Sequence, residues 1–383
     1  MQDPQIAQEE SRIAFLLATS GHSGVDRAMQ LLIPELASRG YRVDLLHVRR
    51  HGPYLGDNIP GVNIVDLGTK HTYSSLPAVI RYLRKNRPAV LFSDKDRVNR
   101  VALLARFLAR SKTRLVVSTG TTVSIDLANR RPVDRWLQRF SIGRFYPFAD
   151  AVVVPSQGVA DDMAAYTGLP REAITVAPRP VIPQALRLNS QPKPDHPWFH
   201  NRDVPLIVSA GELSARKDFE TLLRGFAILN SNRPCRLMIL GRGKRRDNLL
   251  QLAQELGIEK QLELPGFVDS TYPYIAHADL FAFTSRWEGL GFVLLEALAV
   301  GTPVVSTDCP NGPSEILQQG KYGKLVPVGD QISLASAMAQ TLDNPPPPEK
   351  LRAAVSPYTV KAATDGYLRV MKIDSLNPVT QGS

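Results

Sequence analysis

Residues 284–313 read TSRWEGLGFVLLEALAVGTPVVSTDCPNGP, and this stretch decides the fold of its half of the chain. The apolar run Leu280–Phe283 in front of it predicts a buried strand, and the run Pro303–Ser306 predicts the next strand. Between them, a turn that contains glycine opens an apolar helix. Strand, loop, helix and strand in this order form the repeating unit of a parallel sheet, where ligands bind at the carboxyl ends of the strands.

Two carboxylates eight positions apart, Glu288 and Glu296, flank the start of this helix. Glu288 lies in the loop, and binding residues are concentrated in loops. Glu296 is surrounded by Leu295, Ala297 and Leu298, an apolar setting that a solvated helix face would not have. We therefore interpret both glutamates as site residues. The alternative is that both are solvated residues of an ordinary helix.

The first half of the chain alternates predicted strands and helices, which indicates crossover connections and a largely parallel sheet. The predicted strands are Arg12–Ala18, Arg42–His47, Val62–Leu67, Ala89–Phe92, Arg114–Val117, Ala151–Val154 and Ile174–Ala177. The predicted helices include Val25–Arg39, which Gly40 ends, Leu76–Lys85 and Val101–Leu108.

A polar stretch with six prolines, from Pro180 to Pro205, interrupts the alternation of predicted strands and helices. This stretch predicts a linker between two domains. The alternation then restarts. Further strands are predicted at Leu206–Ala210, Arg236–Leu240, Gln261–Leu264 and Lys324–Val326. Helices are predicted at Phe219–Leu229, Asp247–Leu256, Val293–Leu298, Ile332–Leu342 and Thr359–Met371.

The stretch quoted first resembles the retaining GT-B glycosyltransferases, family 4 (group 1) in particular, of the bacterial surface-polysaccharide type. The hallmark of that family is two glutamates separated by seven residues and followed by G-x-P-V-V, which Glu288, Glu296, Gly301 and Pro303 match. The resemblance extends over residues 12–371 and is strongest over residues 211–317.

The resemblance implies an α/β chain of the GT-B class, with two doubly wound, Rossmann-like domains facing a cleft. Residues 1–180 are expected to form the N-terminal, acceptor-side domain, and residues 181–204 the linker. Residues 205–355 are expected to form the C-terminal, nucleotide-sugar-binding domain. Residues 356–383 are expected to hold a helix that crosses back to the first domain, followed by a tail.

Residues 210–219 read AGELSARKDF and look like the family's G-R-L-x-x-x-K-D loop, whose arginine and lysine grip the donor diphosphate. Lys217 matches the lysine, but Glu212 occupies the arginine position and is expected to point away. Arg216 is expected to supply the missing charge. Cations at the start of a helix oppose the helix dipole unless an anion binds there, which disfavours the alternative of a plain solvated helix start.

Other loops match the family at single positions. Gly241 lies in a G-x-G turn beside the expected nucleotide, and Phe267 and Val268 match a G-F-V turn that contacts the base. The alternative places Phe267 in the core. Gly24 matches a glycine that approaches the donor phosphate or the acceptor, whereas His22 is expected to be an ordinary loop residue.

The first-domain half of the expected site departs from the family at one position. Many relatives carry a histidine that faces the donor sugar after the strand Arg114–Val117, and this chain carries none there. Either Thr119 or Thr121 is expected to take its place, or the acceptor chemistry differs. Ser156 resembles a family helix cap and is expected to be structural, because Ser is a favoured N-cap residue.

By resemblance, Glu288 holds the donor sugar at the reacting face and Glu296 binds the ribose hydroxyls. The catalytic residues implied are Glu288, Lys217 and Arg216. The donor-binding residues implied are Gly24, Gly241, Phe267, Val268, Leu290, Gly291, Phe292, Val293 and Glu296. No metal and no other cofactor is expected, because GT-B enzymes generally bind the diphosphate without one.

The net charge of +10 and the sequence pI of about 9.6 favour anionic partners. Residues 127–147 hold five arginines among four aromatic residues, which predicts a basic helix that lies on an anionic membrane. The alternative is a packed helix whose arginines reach into solvent. The N-terminal residues lack a signal peptide, and no apolar run reaches spanning length. Two cysteines far apart in sequence fit a reducing compartment. A cytoplasmic protein, peripheral on the inner face of the plasma membrane, is therefore expected.

The resemblance implies transfer of a sugar, with retained anomeric configuration, from a UDP-linked hexose or N-acetylhexosamine to a lipid-linked or saccharide acceptor. Such a reaction belongs to cell-surface polysaccharide or lipopolysaccharide biosynthesis. One alternative is a nucleotide-sugar epimerase of the same fold. Another is a basic nucleic-acid-binding protein, but the sequence carries no nucleic-acid-binding motif, so no nucleic-acid partner is expected.

Overall fold

The computed structural model describes residues 12–19, 21, 23–56, 58–128, 131–184, 186 and 191–373. These residues fold as two compact units. The first unit holds the described residues up to Gln184 and those from Tyr358 onward, and the second holds the described residues of Ala185–Pro357. The second unit is therefore inserted between two segments of the first.

The first unit is built on one parallel sheet. Its strands are β1 (Arg12–Leu17), β2 (Arg42–His47), β3 (Val62–Asp66), β4 (Val90–Asp94), β5 (Arg114–Ser118), β6 (Ala151–Val154) and β7 (Ile174–Val176). Its connecting helices are α1 (Gly24–Ser38), α2 (Leu76–Asn86), α3 (Asp96–Ala109), α4 (Val123–Ala128), α5 (Pro132–Phe145) and α6 (Gln157–Thr167). The seven strands are ordered β3-β2-β1-β4-β5-β6-β7.

The second unit repeats this architecture with six strands. They are β8 (Leu206–Ala210), β9 (Arg236–Leu240), β10 (Leu262–Gly266), β11 (Leu280–Phe283), β12 (Val304–Thr307) and β13 (Lys324–Val326). Its helices are α7 (Pro197–His200), α8 (Phe219–Asn232), α9 (Arg246–Glu255), α10 (Tyr272–Ala276), α11 (Phe292–Val300), α12 (Pro313–Ile316), α13 (Gln331–Asp343) and α14 (Pro348–Ala353). The strands are parallel and ordered β10-β9-β8-β11-β12-β13.

The strand order positions the expected donor loops. In an open α/β sheet, ligands bind outside the carboxyl ends of the strands, at the point where the strand order reverses. In the second unit this point lies between β8 and β11, which pair directly through Leu280 with Ile207 and Phe281 with Val208. The loops that leave these two strands, residues 211–218 and 284–291, therefore start side by side.

The last described helix, α15 (Val360–Met371), completes the first unit. The ring of its buried Tyr367 meets the ring of Phe92 on β4 edge to face, with centroids 5.8 Å apart. Arg114 Nη2 donates to the carbonyl oxygen of Val370 at 3.2 Å, and Arg39 pairs with Asp365 at 2.5 Å. This helix therefore belongs to the core of the unit that contains the chain's first strand.

The predicted α/β class with two parallel sheets is confirmed, and all 13 strands occur where they were predicted, within about two residues at their ends. Two helix predictions were wrong at their boundaries. Helix α3 begins at Asp96 rather than Val101, and the basic helix expected over residues 127–147 is α5, from Pro132 to Phe145. None of the helices in the described part of the chain is long and apolar enough to cross a membrane.

Candidate active site

The loop after β8 brings Lys217 across its own beginning. A Cβ atom at Gly211 would lie 2.9 Å from Cε of Lys217, so a larger residue here would displace the lysine side chain. The backbone amide of Lys217 donates to the carbonyl oxygen of Ser214 at 3.1 Å, which folds the loop back. Asp218 then begins helix α8 as its N-cap residue. Lys217 is thereby held at the carboxyl end of the sheet and is buried.

Glu288 joins both predicted cations in one cluster. Its Oε1 atom accepts from Nζ of Lys217 at 2.6 Å and from Oγ of Ser285 at 2.8 Å. Its Oε2 atom accepts from Nη1 of Arg216 at 2.7 Å. Lys217 also lies 4.9 Å from the centroid of the Phe283 ring, a favourable cation–π distance. The three catalytic residues predicted from sequence therefore lie together, with an excess of positive charge.

Further contacts tie the two loops to each other. Oγ1 of Thr284 donates to the carbonyl oxygen of Lys217 at 2.9 Å. The backbone amide of Arg286 donates to the carbonyl oxygen of Arg216 at 2.8 Å. The Arg286 side chain pairs with Asp218 at 3.1 Å. Because both loops leave neighbouring strands, these bonds hold Lys217 and Glu288 in one geometry. Sequence reasoning missed Ser285 and the Asp218–Arg286 pair.

The charge state of Glu288 follows from its neighbours. Burial acts to raise the pKa of its carboxyl, but the charges of Lys217 and Arg216 outweigh burial and hold the pKa below its ordinary value. Burial lowers the pKa of Lys217, and Glu288 opposes that change. An additional anion beside Lys217 would favour its charged form. The cluster is therefore suited to a phosphate group.

The start of helix α11 offers a second set of donors. Gly291 is its N-cap residue in the left-handed region, with a φ of 95°, a conformation that a side chain would disfavour. A Cβ atom at Gly312 would lie 2.2 Å from the carbonyl oxygen of Leu290, so the neighbouring loop fixes this turn closely. The start of a helix carries a partial positive charge, which favours the binding of an anion beside the segment Leu290–Val293.

Glu296 lies inside helix α11 and is fully buried. Its Oε2 atom accepts from Oγ1 of Thr271 at 2.5 Å. The alternative that both glutamates are solvated helix residues is therefore wrong, since Glu288 is buried as well. A carboxylate inside an apolar helix needs polar partners, and Thr271 supplies one of them.

Three strand-end glycines form the floor beside this cluster. A Cβ atom at Gly241, whose φ is 137°, would lie 1.9 Å from the carbonyl oxygen of Gly211. The amide of Gly211 donates to the carbonyl oxygen of Leu240, and the amide of Gly241 donates to the carbonyl oxygen of Gly266 at 2.7 Å. The ends of β8 and β9 can approach each other this closely because Gly241 lacks a side chain.

Phe267 stands at the rim of this floor and is exposed, so the alternative that placed it in the core is wrong. The guanidinium carbon of Arg242 lies 4.8 Å from the centroid of its ring. Val268 is half-buried, and Glu212 is exposed. An exposed aromatic ring backed by a guanidinium group provides a flat surface on which a nucleobase can stack.

The predicted site residues of the first unit lie at the starts of helices α1 and α6 and in the loop after β5. Gly24 is the first residue of helix α1, behind the N-cap residue Ser23, whose Oγ accepts from the amide of Asp26. His22 lies outside the described residues. Of the two candidate threonines, Thr119 is buried and Thr121 is exposed. Ser156 caps helix α6 by accepting from the amide of Val159 at 3.3 Å, as predicted.

Two family models match the chain: Glycosyltransferase Family 4 over residues 22–185 and Glycosyl transferases group 1 over residues 191–359. A relative from Campylobacter jejuni, N-acetylgalactosamine-N,N'-diacetylbacillosaminyl-diphospho-undecaprenol 4-alpha-N-acetylgalactosaminyltransferase, is 31% identical over 271 residues. These residues are 70% of this chain and 69% of the relative. The chain belongs to the family 4, group 1 glycosyltransferases.

Other similar proteins agree with this membership. The lipopolysaccharide core biosynthesis glycosyltransferase LpsE of Rhizobium meliloti is 36% identical over 174 residues, which are 44% of this chain and 50% of LpsE. Among solved structures, Anabaena HepE in complex with UDP has a TM-score of 0.76 at 18% identity. The outer core galactosyltransferase WaaB has a TM-score of 0.73 at 16% identity. Both comparisons cover 94% of this chain and 99% of the other, and they show that this glycosyltransferase has the GT-B fold.

Proposed function

We propose that this glycosyltransferase moves a hexosyl or N-acetylhexosaminyl group from a UDP-sugar to a lipid-linked or saccharide acceptor, with retention of configuration. The observation that carries the proposal is the cluster of Lys217, Arg216 and Glu288 at the carboxyl ends of β8 and β11. Two cations and one carboxylate can hold a diphosphate and a sugar hydroxyl at the same point.

The reaction breaks the bond between C1 of the sugar and the diphosphate oxygen. The acceptor hydroxyl oxygen forms the new bond to C1 on the same face, and its proton passes to the departing diphosphate. Negative charge then grows on the leaving group, and preorganised cations and amides stabilise such charge most effectively. Lys217, Arg216 and the amides of Leu290–Val293 are assigned this role.

The two glutamates take different parts. Glu288 is assigned to the hydroxyls of the donor sugar, because it lies among the cations that would hold the diphosphate. Glu296 is assigned to the ribose hydroxyls. The exposed ring of Phe267, with Val268 and the floor glycine Gly241, is assigned to the base and its surroundings.

The donor is proposed to bind without a metal. A divalent ion in such a site would neutralise the negative charge of the diphosphate. Here the positive charges of Lys217 and Arg216 and the partial positive charge at the start of helix α11 are proposed to do the same. No cofactor besides the donor is then required.

The identities of donor and acceptor are inferred from relatives. The solved HepE structure contains UDP, and the Campylobacter relative is named for an acceptor on diphospho-undecaprenol. LpsE is named for the biosynthesis of lipopolysaccharide core. We therefore place the reaction in cell-surface polysaccharide synthesis at the inner face of the plasma membrane.

Helix α5 supports a peripheral membrane location. Most of its side chains are exposed, and only Ser141 and Ile142 are buried. Trp136 and Phe140 stack on one face with ring centroids 5.3 Å apart, and both are exposed. Arg131, Arg135, Arg139 and Arg144 accompany them, whereas Arg130 lies outside the described residues. A surface that combines exposed aromatic rings with arginines is typical of helices that lie on anionic membranes.

A screen of nucleotide sugars for thermal stabilisation tests the donor assignment. A donor present at about 100 times its Kd stabilises the folded state by about 2.7 kcal/mol. UDP-sugars should raise the Tm of the wild type and raise it much less in Lys217→Met. Stabilisation by no nucleotide sugar would count against the proposal, and a new sugar nucleotide formed from donor alone would indicate an epimerase.

A further inference from the structure

A large apolar groove runs along helix α3 in the first unit, and Phe145 of helix α5 contributes to its wall. It encloses about 910 Å³, within the range of about 300–1,000 Å³ that is usual for ligand pockets. Its wall is apolar or aromatic apart from three arginines and one serine. The lining side chains that matter most are Leu104, Phe107, Phe145 and Phe148.

The groove is built from side chains that have no place in the core. Phe107 is 77% exposed and Phe148 is 68% exposed, although the hydrophobic effect opposes the exposure of such large apolar groups. Five of the 15 exposed large hydrophobic side chains in the described residues line this groove. Contiguous exposed apolar surface of this kind marks an interaction site.

The groove runs from the carboxyl edge of the first unit's sheet towards the opposite edge. Helix α3 starts at Asp96, directly after the carboxyl end of β4, and its 14 residues extend about 21 Å towards the opposite edge of the sheet. Arg100 and Tyr73 line the end nearer the carboxyl edge, and Arg110 and Phe148 line the far end. An elongated ligand would therefore reach from the ligand-binding edge of the sheet along the outside of the unit.

The charges along the groove have one sign. Arg100, Arg106 and Arg110 line it, and the lining includes no acidic residue. Arg100 pairs with Asp96 and Arg106 pairs with Asp150, while Arg110 is exposed. Long apolar walls with cationic edges are complementary to an amphiphile that carries a hydrocarbon chain and an anionic head group.

We propose that this groove binds the polyprenyl chain of a diphosphate-linked acceptor lipid. The assignment rests on the proposed function, which requires an acceptor that the first unit can hold. A peptide would bring backbone N–H and C=O groups that need partners, and the only uncharged polar side chains that line the groove are Tyr73 and Ser111. A prenyl chain has no such groups, and its diphosphate matches the arginines.

The test uses farnesyl diphosphate and inorganic diphosphate as probes, titrated calorimetrically into the intact protein with saturating UDP present. UDP occupies the proposed donor site, so the titration reports on other sites. Farnesyl diphosphate should bind at least about tenfold more tightly than inorganic diphosphate, because only farnesyl diphosphate buries a hydrocarbon chain. Leu104→Gln and Phe107→Gln should each remove most of that advantage, because each places an amide in the apolar wall.

Ile332→Gln provides the matched control, because Ile332 is an exposed apolar residue at the start of helix α13 and does not line the groove. This variant should keep the full preference for farnesyl diphosphate. An unchanged preference in Phe107→Gln, equal binding of dodecyl phosphate, or a dimer that Phe107→Gln dissociates would each overturn the proposal. Failure of UDP to bind is seen in a separate titration and counts against the proposed function instead.

Discussion

The substitution Glu288→Gln tests whether the charged cluster is a coupled unit. It keeps the size of the side chain but removes the charge shared by Lys217 and Arg216. The Lys217 and Glu288 side chains are each 9% exposed, so Lys217 would be left buried without its counter-ion. Breaking such a pair by removing one partner costs about 3–5 kcal/mol. The Arg216 side chain is 33% exposed, so solvent screening reduces the contribution of its ion pair with Glu288 to about a few tenths of a kcal/mol. Because glutamine still accepts one hydrogen bond, we expect a loss of about 3 kcal/mol.

The double variant Lys217→Met/Glu288→Gln separates this cost from a simple loss of contacts. Replacing both members of a buried ion pair by groups of similar size is often nearly neutral. The double variant should therefore be less destabilised than the sum of the single variants, with a coupling energy of about 2 kcal/mol. Urea unfolding measures it in a Trp136→Phe background, where the remaining tryptophans, Trp198 and Trp287, report on the second unit. Costs that add within about 0.5 kcal/mol would refute the reasoning.

The same variant predicts a pH dependence whose sign is fixed by the lowered pKa of Glu288. The ordinary pKa of a glutamate is about 4.3, and the folded-state value lies below it. The stabilisation by the ionised carboxylate is therefore complete above about pH 5 and is lost as the pH falls through the folded-state pKa. The difference in stability between wild type and Glu288→Gln should shrink on acidification below about pH 4. A difference that grows on acidification would contradict the assignment.

Four further expectations follow from the sites described. Glu296→Ala should raise the KM for the donor with little change in kcat, because a ribose contact is made equally in the ground and transition states; steady-state kinetics check this, and full activity would contradict it. Transfer should continue in EDTA, and loss of activity that magnesium or manganese restores would argue for a metal. Replacing Arg131, Arg135 and Arg139 by Ser should reduce sedimentation with anionic vesicles at low salt, by about 1 kcal/mol for each arginine near the surface, while UDP binding is unchanged. A wild type that does not sediment would end that hypothesis. Ser156→Ala should cost about 1 kcal/mol in unfolding by removing a helix cap, and Ser156→Asn should cost less.

Strands such as β6, β8 and β11 could be predicted from sequence because they are apolar at nearly every position. Strand β8 is buried throughout, so its five residues read as an uninterrupted apolar run apart from Ser209, whose hydroxyl donates to Ala282. The cluster of Lys217 and Glu288 was predictable for a different reason. Parallel strands that are neighbours in a sheet deliver their following loops to one edge, whatever the sequence distance between them.

The start of helix α3 could not be predicted from periodicity, because polar residues are buried there. Asp96 accepts hydrogen bonds from Ser141 and Tyr146, and Asn99 bonds with Ser93 and Tyr146. Burial outweighs these bonds and raises the pKa of Asp96. A hydrophobic pattern records apolar burial alone, so it placed the start of the helix at Val101, after these residues. Partners that are distant in sequence decide such positions.

The exposure of Phe267 and of the groove residues could not be predicted from the sequence either. An apolar side chain at the end of a strand usually packs inward, and only the arrangement of neighbouring loops leaves Phe267 at the rim. In the groove, Leu104 and Phe107 belong to a helix whose other face is packed on the sheet. Their spacing is compatible with either a buried or an exposed stripe, so the pattern alone did not distinguish a core from a binding surface.

The discontinuous first unit has a consequence for synthesis on the ribosome. Domains generally begin to fold in the order in which they are made, from the N-terminus. Here the second unit is complete once Pro357 has emerged, whereas the first unit still lacks helix α15 and with it the ring of Tyr367 that packs on Phe92. The first unit can therefore be completed only after helix α15 has been translated. A nascent chain stopped shortly before Tyr358 would carry a finished second unit and an unfinished first one.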